Sequence, residues 1–215
     1  MIVSHGRRYI FVHIPKTGGT ALALALEARA MADDILVGDT PKARRRRTRL
    51  KEARTAGRLW KHATLADGVG LYSEEQARDY FTFTLVRNPW DRLVSYYHWL
   101  REQRFDHPAV VLAQGLEFSA FLRAPQTQAS IGTAPYGSYL RLADGQEQAR
   151  AFLRLEHLEE DAAPLEAHLG FRITPLPRAN ASARGRDWRP YYCDADAALV
   201  GQLCAEDVAR FGYAF

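Results

Sequence analysis

The sequence predicts an α/β protein, a three-layer α/β/α sandwich around a central parallel sheet. Three observations carry that prediction. Arg8–Ile14 (RYIFVHI) is rich in β-branched and aromatic residues, the pattern of a strand buried on both faces, as parallel-sheet strands are, and Phe81–Val86 (FTFTLV) is a second clear strand. Each run is followed by a turn signal and then a helix pattern, so strands and helices alternate. The 215 residues, 47% hydrophobic and 25% charged, match one cored domain over 1–215, and no apolar run nears the ~20 residues of a bilayer span.

Taken in order, the first strand stops at Pro15, and Lys16-Thr17-Gly18-Gly19-Thr20 leads into Ala21–Met31, composed almost wholly of the strong helix formers Ala, Leu and Glu. The pattern then dissolves into a surface excursion with some helix at about 33–60, marked by Asp33-Asp34, Gly38, Pro41 and the run Arg44–Arg47. The strand Phe81–Val86 ends at Arg87-Asn88-Pro89, where Asn88 caps a helix and Pro89 fits its first turn. In that helix Trp90, Leu93, Val94, Tyr97 and Leu100 form an apolar stripe, with Asp91, Ser95, His98 and Glu102 on another face. Leu116–Arg123 reads as helix and Gly132–Gly137 as loop. A third strand is expected at Ala151–Glu156, then a helix over Leu158–Leu169 closed by Gly170. Thr174–Pro190 reads as a long loop, and Asp194 as the cap of a last helix with Leu199, Val200, Leu203, Cys204, Val208 and Phe211 inward.

Charge is concentrated in one place. The formal charge is +4, but residues 41–61 hold ten Lys or Arg against the single Glu52, a local +9 that leaves −5 for the remainder. A solvated arm accounts for the Arg44–Arg47 run; contact with an anionic glycan or a membrane surface is the competing reading. Two cysteines, Cys193 and Cys204, are too few for a disulfide framework, lack zinc-ligand spacing and are expected as buried thiols. No secretory signal is recognisable, so a cytoplasmic location is expected, without membrane insertion but with peripheral contact allowed.

Chemistry concentrates where the strands end. Unpaired amides at a helix start, glycines that let the backbone come close, the Lys16 ammonium and the Thr17 and Thr20 hydroxyls together make an anion cradle. A plain tight turn explains the glycines but not the Lys and two Thr. The order Gly-x-x-x-x-Gly-Lys-Ser/Thr of a nucleotide-triphosphate loop is absent, because Lys16 precedes the glycine pair. Arg87 at the end of the second strand offers a fork for a phosphate and Ser95 a hydroxyl. Two anion sites after two strands point to a ligand with negative groups at both ends.

His13–Thr20 (HIPKTGGT) resembles the 5′-phosphosulfate loop of sulfotransferases, and Thr84–Tyr96 (TLVRNPWDRLVSY) is similar to their 3′-phosphate motif. The closer likeness is to the carbohydrate-type branch, sulfotransferase family 2, including its bacterial relatives. It extends to Leu153–Asp161, Leu176–Ser182 and Asp207–Tyr213, and covers roughly residues 8–31, 60–105 and 150–215. The resemblance implies a P-loop-like nucleotide-binding fold and a donor, 3′-phosphoadenosine 5′-phosphosulfate (PAPS, product PAP), with transfer to an acceptor hydroxyl, here expected on a saccharide or glycan. It places Lys16, Thr17, Gly18, Gly19 and Thr20 at the 5′-phosphosulfate, and Arg87 and Ser95 at the 3′-phosphate, and it requires no metal. Ser182 and Arg184, in the late loop, are further candidates for the nucleotide. Lys61-His62-Ala63-Thr64 resembles the family segment whose His deprotonates the acceptor; His13 is the rival base, with Asp67 and Glu27 behind it. The competing functions are a P-loop phosphotransferase and a non-enzymatic polyanion binder built on the arginine run. No nucleic-acid partner is expected, because no recognition module is present.

Overall fold

The computed structural model describes residues 1–177, 179, 185 and 187–215. In chain order its elements are β1 (Ile2–Ser4), β2 (Tyr9–Val12), α1 (Gly19–Ala28), β3 (Ile35–Leu36), α2 (Pro41–Arg46), α3 (Glu74–Asp79) and β4 (Phe81–Val86). They continue with α4 (Pro89–Arg101), α5 (Pro108–Gly115), α6 (Phe118–Arg123), α7 (Pro125–Gly132), β5 (Ala151–Arg154), α8 (Leu158–Asp161), α9 (Ala163–Leu169), α10 (Asp194–Leu203) and α11 (Ala205–Phe211). These fall into two compact units, residues 1–86 with 136–180, and residues 87–135 with 181–215.

The first unit is built on a five-stranded sheet of order β3-β1-β2-β4-β5. β2, β4 and β5 are parallel, with Val12 opposite Thr84 and Val86 opposite Arg154, so these strands finish at one edge. Only β1 runs against its neighbours, antiparallel to both β2 and β3. Tyr9, Phe11, Phe83, Leu85 and Leu153 project to one face, where they pack with Leu22 and Leu26 of α1 and Leu165 and Leu169 of α9. Each such Leu or Phe contributes about 1.5–3 kcal/mol by leaving water. Ile10, Val12, Thr82 and Thr84, on the other face, are also fully buried. The two threonines are tolerated there because their hydroxyls are spoken for: Thr82 donates to the Ala77 carbonyl at 3.3 Å and Thr84 to the Val12 carbonyl at 2.7 Å.

The second unit packs around α4. Trp90, Leu93, Val94, Tyr97 and Leu100 are all buried, together with Val110, Phe118, Phe121, Leu122, Trp188 and Val200. Asn88 caps α4 as expected, its side-chain oxygen accepting from the Trp90 amide at 3.1 Å, with Pro89 in the first turn.

Several expectations need adjusting. The first strand is shorter than Arg8–Ile14, and β1 and β3, three and two residues long, carry too little pattern to be seen in sequence. The helix expected over Leu158–Leu169 divides at Ala162, because Pro164 has no amide to continue the ladder, and it closes at Gly170 with φ +73°. The last helix likewise divides at Cys204, and Cys193 rather than Asp194 holds the cap position. Cys193 is exposed, so the buried-thiol expectation fails there; burial pushes the Cys204 thiol up to about 12. The helix expected within the excursion is present: α2 is capped by Thr40, whose hydroxyl accepts from the Ala43 amide at 3.1 Å, and a 3-10 turn follows. Among the described residues no helix is long and apolar enough to cross a membrane.

Candidate active site

The loop between β2 and α1 has an unusual backbone. Lys16 takes φ +66° and Gly18 φ +90°, and Gly18 caps α1 without any side-chain hydrogen bond. Successive turns of that hand aim amides into a shared concavity, as anion nests do. The Thr17, Gly18, Gly19 and Thr20 amides find no acceptor among the described residues. Thr17 is buried and its hydroxyl donates to the Ile14 carbonyl at 3.0 Å, which fixes the loop from beneath rather than offering a donor to a ligand. Lys16 and Thr20 are half-buried. A left-handed lysine is strained by about 1–3 kcal/mol, a cost that clusters at functional sites.

The two glycines answer to their own neighbours. A Cβ on Gly19 would sit 2.2 Å from Cδ2 of His13, and one on Gly18 would sit 3.0 Å from Leu155 and 3.2 Å from Leu85. His13 therefore forms the wall behind the loop. It is buried, 7% exposed, and burial holds its imidazole well below the usual range, so it is neutral.

His62 stands against that wall. Its ring lies 4.7 Å from the His13 ring, edge to face, and its Nδ1 is 2.8 Å from the His13 carbonyl oxygen. A carbonyl only accepts, so Nδ1 carries the proton and donates, and the lone pair of the neutral ring is on Nε2. Nε2 has no partner among the described residues. Burial lowers the His62 pKa to about 4, with the hydrogen bond to His13 opposing. The arrangement is a neutral imidazole with a fixed tautomer, joined through His13 to the glycine loop.

The weaker candidates have structural employment. Asp67 accepts from the Thr64 amide at 2.9 Å and the Thr64 hydroxyl at 2.8 Å, closing a turn. Glu27 is buried and accepts from the Thr40 hydroxyl at 2.7 Å, tying α1 to the start of α2. Lys42 donates to the Glu27 carbonyl, and Arg46 to the Met31 and Asp34 carbonyls at 2.8 and 3.1 Å. Part of the basic run thus caps carbonyls in the last turn of α1 and in the chain just after it, while Arg44, Arg45 and Arg47 stay exposed.

In the second unit, Arg87 precedes α4 and Ser95 is buried two turns in, 7% exposed. Arg87 donates through Nε and Nη2 to Oδ2 of Asp91 at 2.8 and 2.7 Å. The four-residue spacing of Arg87 and Asp91 is the signal in the sequence for this pair. His13 as a wall and carbonyl donor-holder was missed, since that role belongs partly to its backbone. Ser182 and Arg184 lie outside the described residues.

The loop suits a doubly charged oxyanion: amides, an ammonium and a helix start. The family model described as "Sulfotransferase family" matches residues 1–213. Among solved structures, mouse sulfotransferase SULT7A1 complexed with PAP shares the fold, at 17% identity and a TM-score of 0.54, over 93% of this chain and 82% of that one. A search of curated proteins found no match. With its opening strand-loop-helix unit, its mostly parallel sheet and a family match along nearly its whole length, the chain belongs to the sulfotransferase family, enzymes that use 3′-phosphoadenosine 5′-phosphosulfate as donor.

Proposed function

We propose that the acceptor is a saccharide hydroxyl and that His62 is the base that deprotonates it. Lys16, Thr17, Gly18, Gly19 and Thr20 hold the 5′-phosphosulfate, with Thr17 acting through its amide, and Arg87 and Ser95 hold the 3′-phosphate, joined by Ser182 and Arg184. The observation that carries this reading is the 2.8 Å bond from His62 Nδ1 to the His13 carbonyl, because it leaves Nε2 basic on a residue braced against the donor loop.

The donor supplies an electrophilic sulfuryl group and leaves negative charge on the bridging oxygen. Lys16 and the loop amides stabilise charge at that position, and positioned donors of this kind contribute roughly 10²–10³ in rate each. His62 Nε2 takes the acceptor proton, a contribution of about 10²–10⁴. The His13 carbonyl then steadies the imidazolium through Nδ1–H. Arg87 reaches its anion already oriented, because Asp91 fixes its guanidinium plane. We also place the chain in the cytoplasm, in keeping with its two free thiols.

A thermal-shift series tests the donor assignment: adenosine 3′,5′-bisphosphate should stabilise the protein more than ATP with magnesium. A labelled-donor assay on a panel of oligosaccharides tests the rest. His62→Gln should keep the nucleotide shift and lose most of the transfer. Full transfer by His62→Gln would remove the base assignment, and a panel without any labelled saccharide would remove the acceptor class.

A further inference from the structure

We propose that the basic surface of residues 44–54 docks on an anionic phospholipid bilayer, to which the protein binds peripherally. The inference uses neither the donor nor the base assignment.

The segment after α1 divides its cations into two groups. Lys42, Arg46 and Arg49 serve the fold: Lys42 donates to the Glu27 carbonyl, Arg46 to the Met31 and Asp34 carbonyls at 2.8 and 3.1 Å, and Arg49 to the Ala32 carbonyl. Arg44, Arg45, Arg47, Lys51 and Arg54 are exposed, and none of the five forms an ion pair or a side-chain hydrogen bond among the described residues. Glu52 is the one acid in the stretch and offsets a single charge. Like charges three residues apart on a helix, as Arg44 and Arg47 are, oppose its formation. The Thr40 cap and the carbonyl bonds nevertheless hold these residues in regular structure. A cluster kept ordered against its own repulsion, without counter-charge, matches an external anionic surface, and clusters of about four to eight Lys or Arg suffice for anionic headgroups. Met31 favours a bilayer over a soluble polyanion. Its side chain is 38% exposed, on the turn whose carbonyls Arg46 and Arg49 hold, so apolar surface adjoins the cations. A bilayer interface takes such a side chain out of water while its headgroups meet the cations; a polyanion in solution does only the second.

The test is co-sedimentation of the full chain with vesicles of phosphatidylcholine alone, and of phosphatidylcholine with about one-third phosphatidylglycerol. The protein should bind the anionic vesicles, leave the neutral ones in solution, and be released as rising salt screens the headgroups. Each cation near such a surface contributes about fivefold, so Arg44→Gln, Arg45→Gln, Arg47→Gln and Lys51→Gln combined should weaken binding more than about hundredfold. A combined variant with Arg44→Lys, Arg45→Lys and Arg47→Lys keeps the charge and should stay within about threefold of the parent, which guards against a folding defect in the glutamine variant. Met31→Gln should weaken vesicle binding about fivefold and leave binding to polyphosphate, a soluble polyanion, unaltered, while Met31→Leu should match the parent. Equal sedimentation with neutral and anionic vesicles, no binding to either, or unaltered binding in the glutamine variant would overturn the proposal. Tighter binding to polyphosphate than to anionic vesicles at equal charge, with Met31→Gln without effect on either, would also overturn it and make the surface a polyanion site.

Discussion

As the proposed base, His62 would owe its usefulness to where its proton sits. Because burial lowers its pKa to about 4 while the carbonyl of His13 fixes the tautomer, it is a neutral base throughout the neutral range. The acidic limb of kcat/KM, which reports the free enzyme, should accordingly fall well below the ordinary histidine value of 6.5. A profile measured from pH 4 to 8 with a limb centred at 6.5 would show that the base is solvated elsewhere. Stability follows the same sign: the unfolded chain binds a proton at pH below 6.5 that the folded chain refuses until about 4, so stability due to His62 is intact above 6.5 and declines as pH drops toward 4. Lys16 presents a conflict of a different sort, a side chain wanted at the loop mouth on a backbone at φ +66°. Lys16→Gly should relieve about 1 kcal/mol of strain that Lys16→Ala retains, so the glycine variant should melt higher. Both should lose about 10²–10³ in turnover with little change in nucleotide affinity. Normal turnover in either variant would take Lys16 out of the chemistry.

The β2–loop–α1 unit owes its shape to neighbours as well as to its own residues. Gly19→Ala brings a methyl to 2.2 Å from the His13 ring, and the ring has to move; His62 is hung on the same residue. We expect about 1–3 kcal/mol of destabilisation from overpacking, with transfer reduced beyond what the lost folded fraction explains. Gly38→Ala is the control, since its Cβ meets only Ala43 at 4.0 Å, an ordinary contact. Equal melting temperatures for the two variants would show that the wall yields freely. This unit was readable in sequence as strand, glycine loop and helix because its period and composition change within a few residues. The long strand β4 and the capped helix α4 were readable for the same reason. What escaped was set by contacts distant in sequence: the two-residue strand β3 exists because Ile35 and Leu36 pair with Val3 and Ile2, and α2 is ordered because Thr40 reaches Glu27. Arg44–Arg47 reads as a solvated arm until the carbonyls that Lys42 and Arg46 cap are seen.

At the scale of the molecule, the proposed donor assignment divides into two anion sites: the glycine loop after β2 for the 5′ end, and Arg87 with Ser95 for the 3′-phosphate. A nucleotide with phosphates at its 5′ and 3′ positions makes that division measurable, because either anion can be omitted chemically. On the proposed assignment Arg87→Ala removes a charged, oriented donor from the 3′-phosphate alone. Truncating one side of such a pair typically costs 2–5 kcal/mol, and the lower end, about 30-fold in Kd, is expected for a half-buried arginine. Adenosine 5′-monophosphate, which has no 3′-phosphate, should bind parent and variant within twofold. Asp91→Asn separates charge from orientation: it keeps an acceptor for Arg87 while removing the carboxylate that competes for it, so the bisphosphate should bind at least as tightly as to the parent. Calorimetric titration of both nucleotides against the three proteins reads all of these numbers. If Arg87→Ala weakens the mono- and bisphosphate equally, the arginine supports the fold or the 5′ end, and the glycine loop alone would have to account for recognition of the donor.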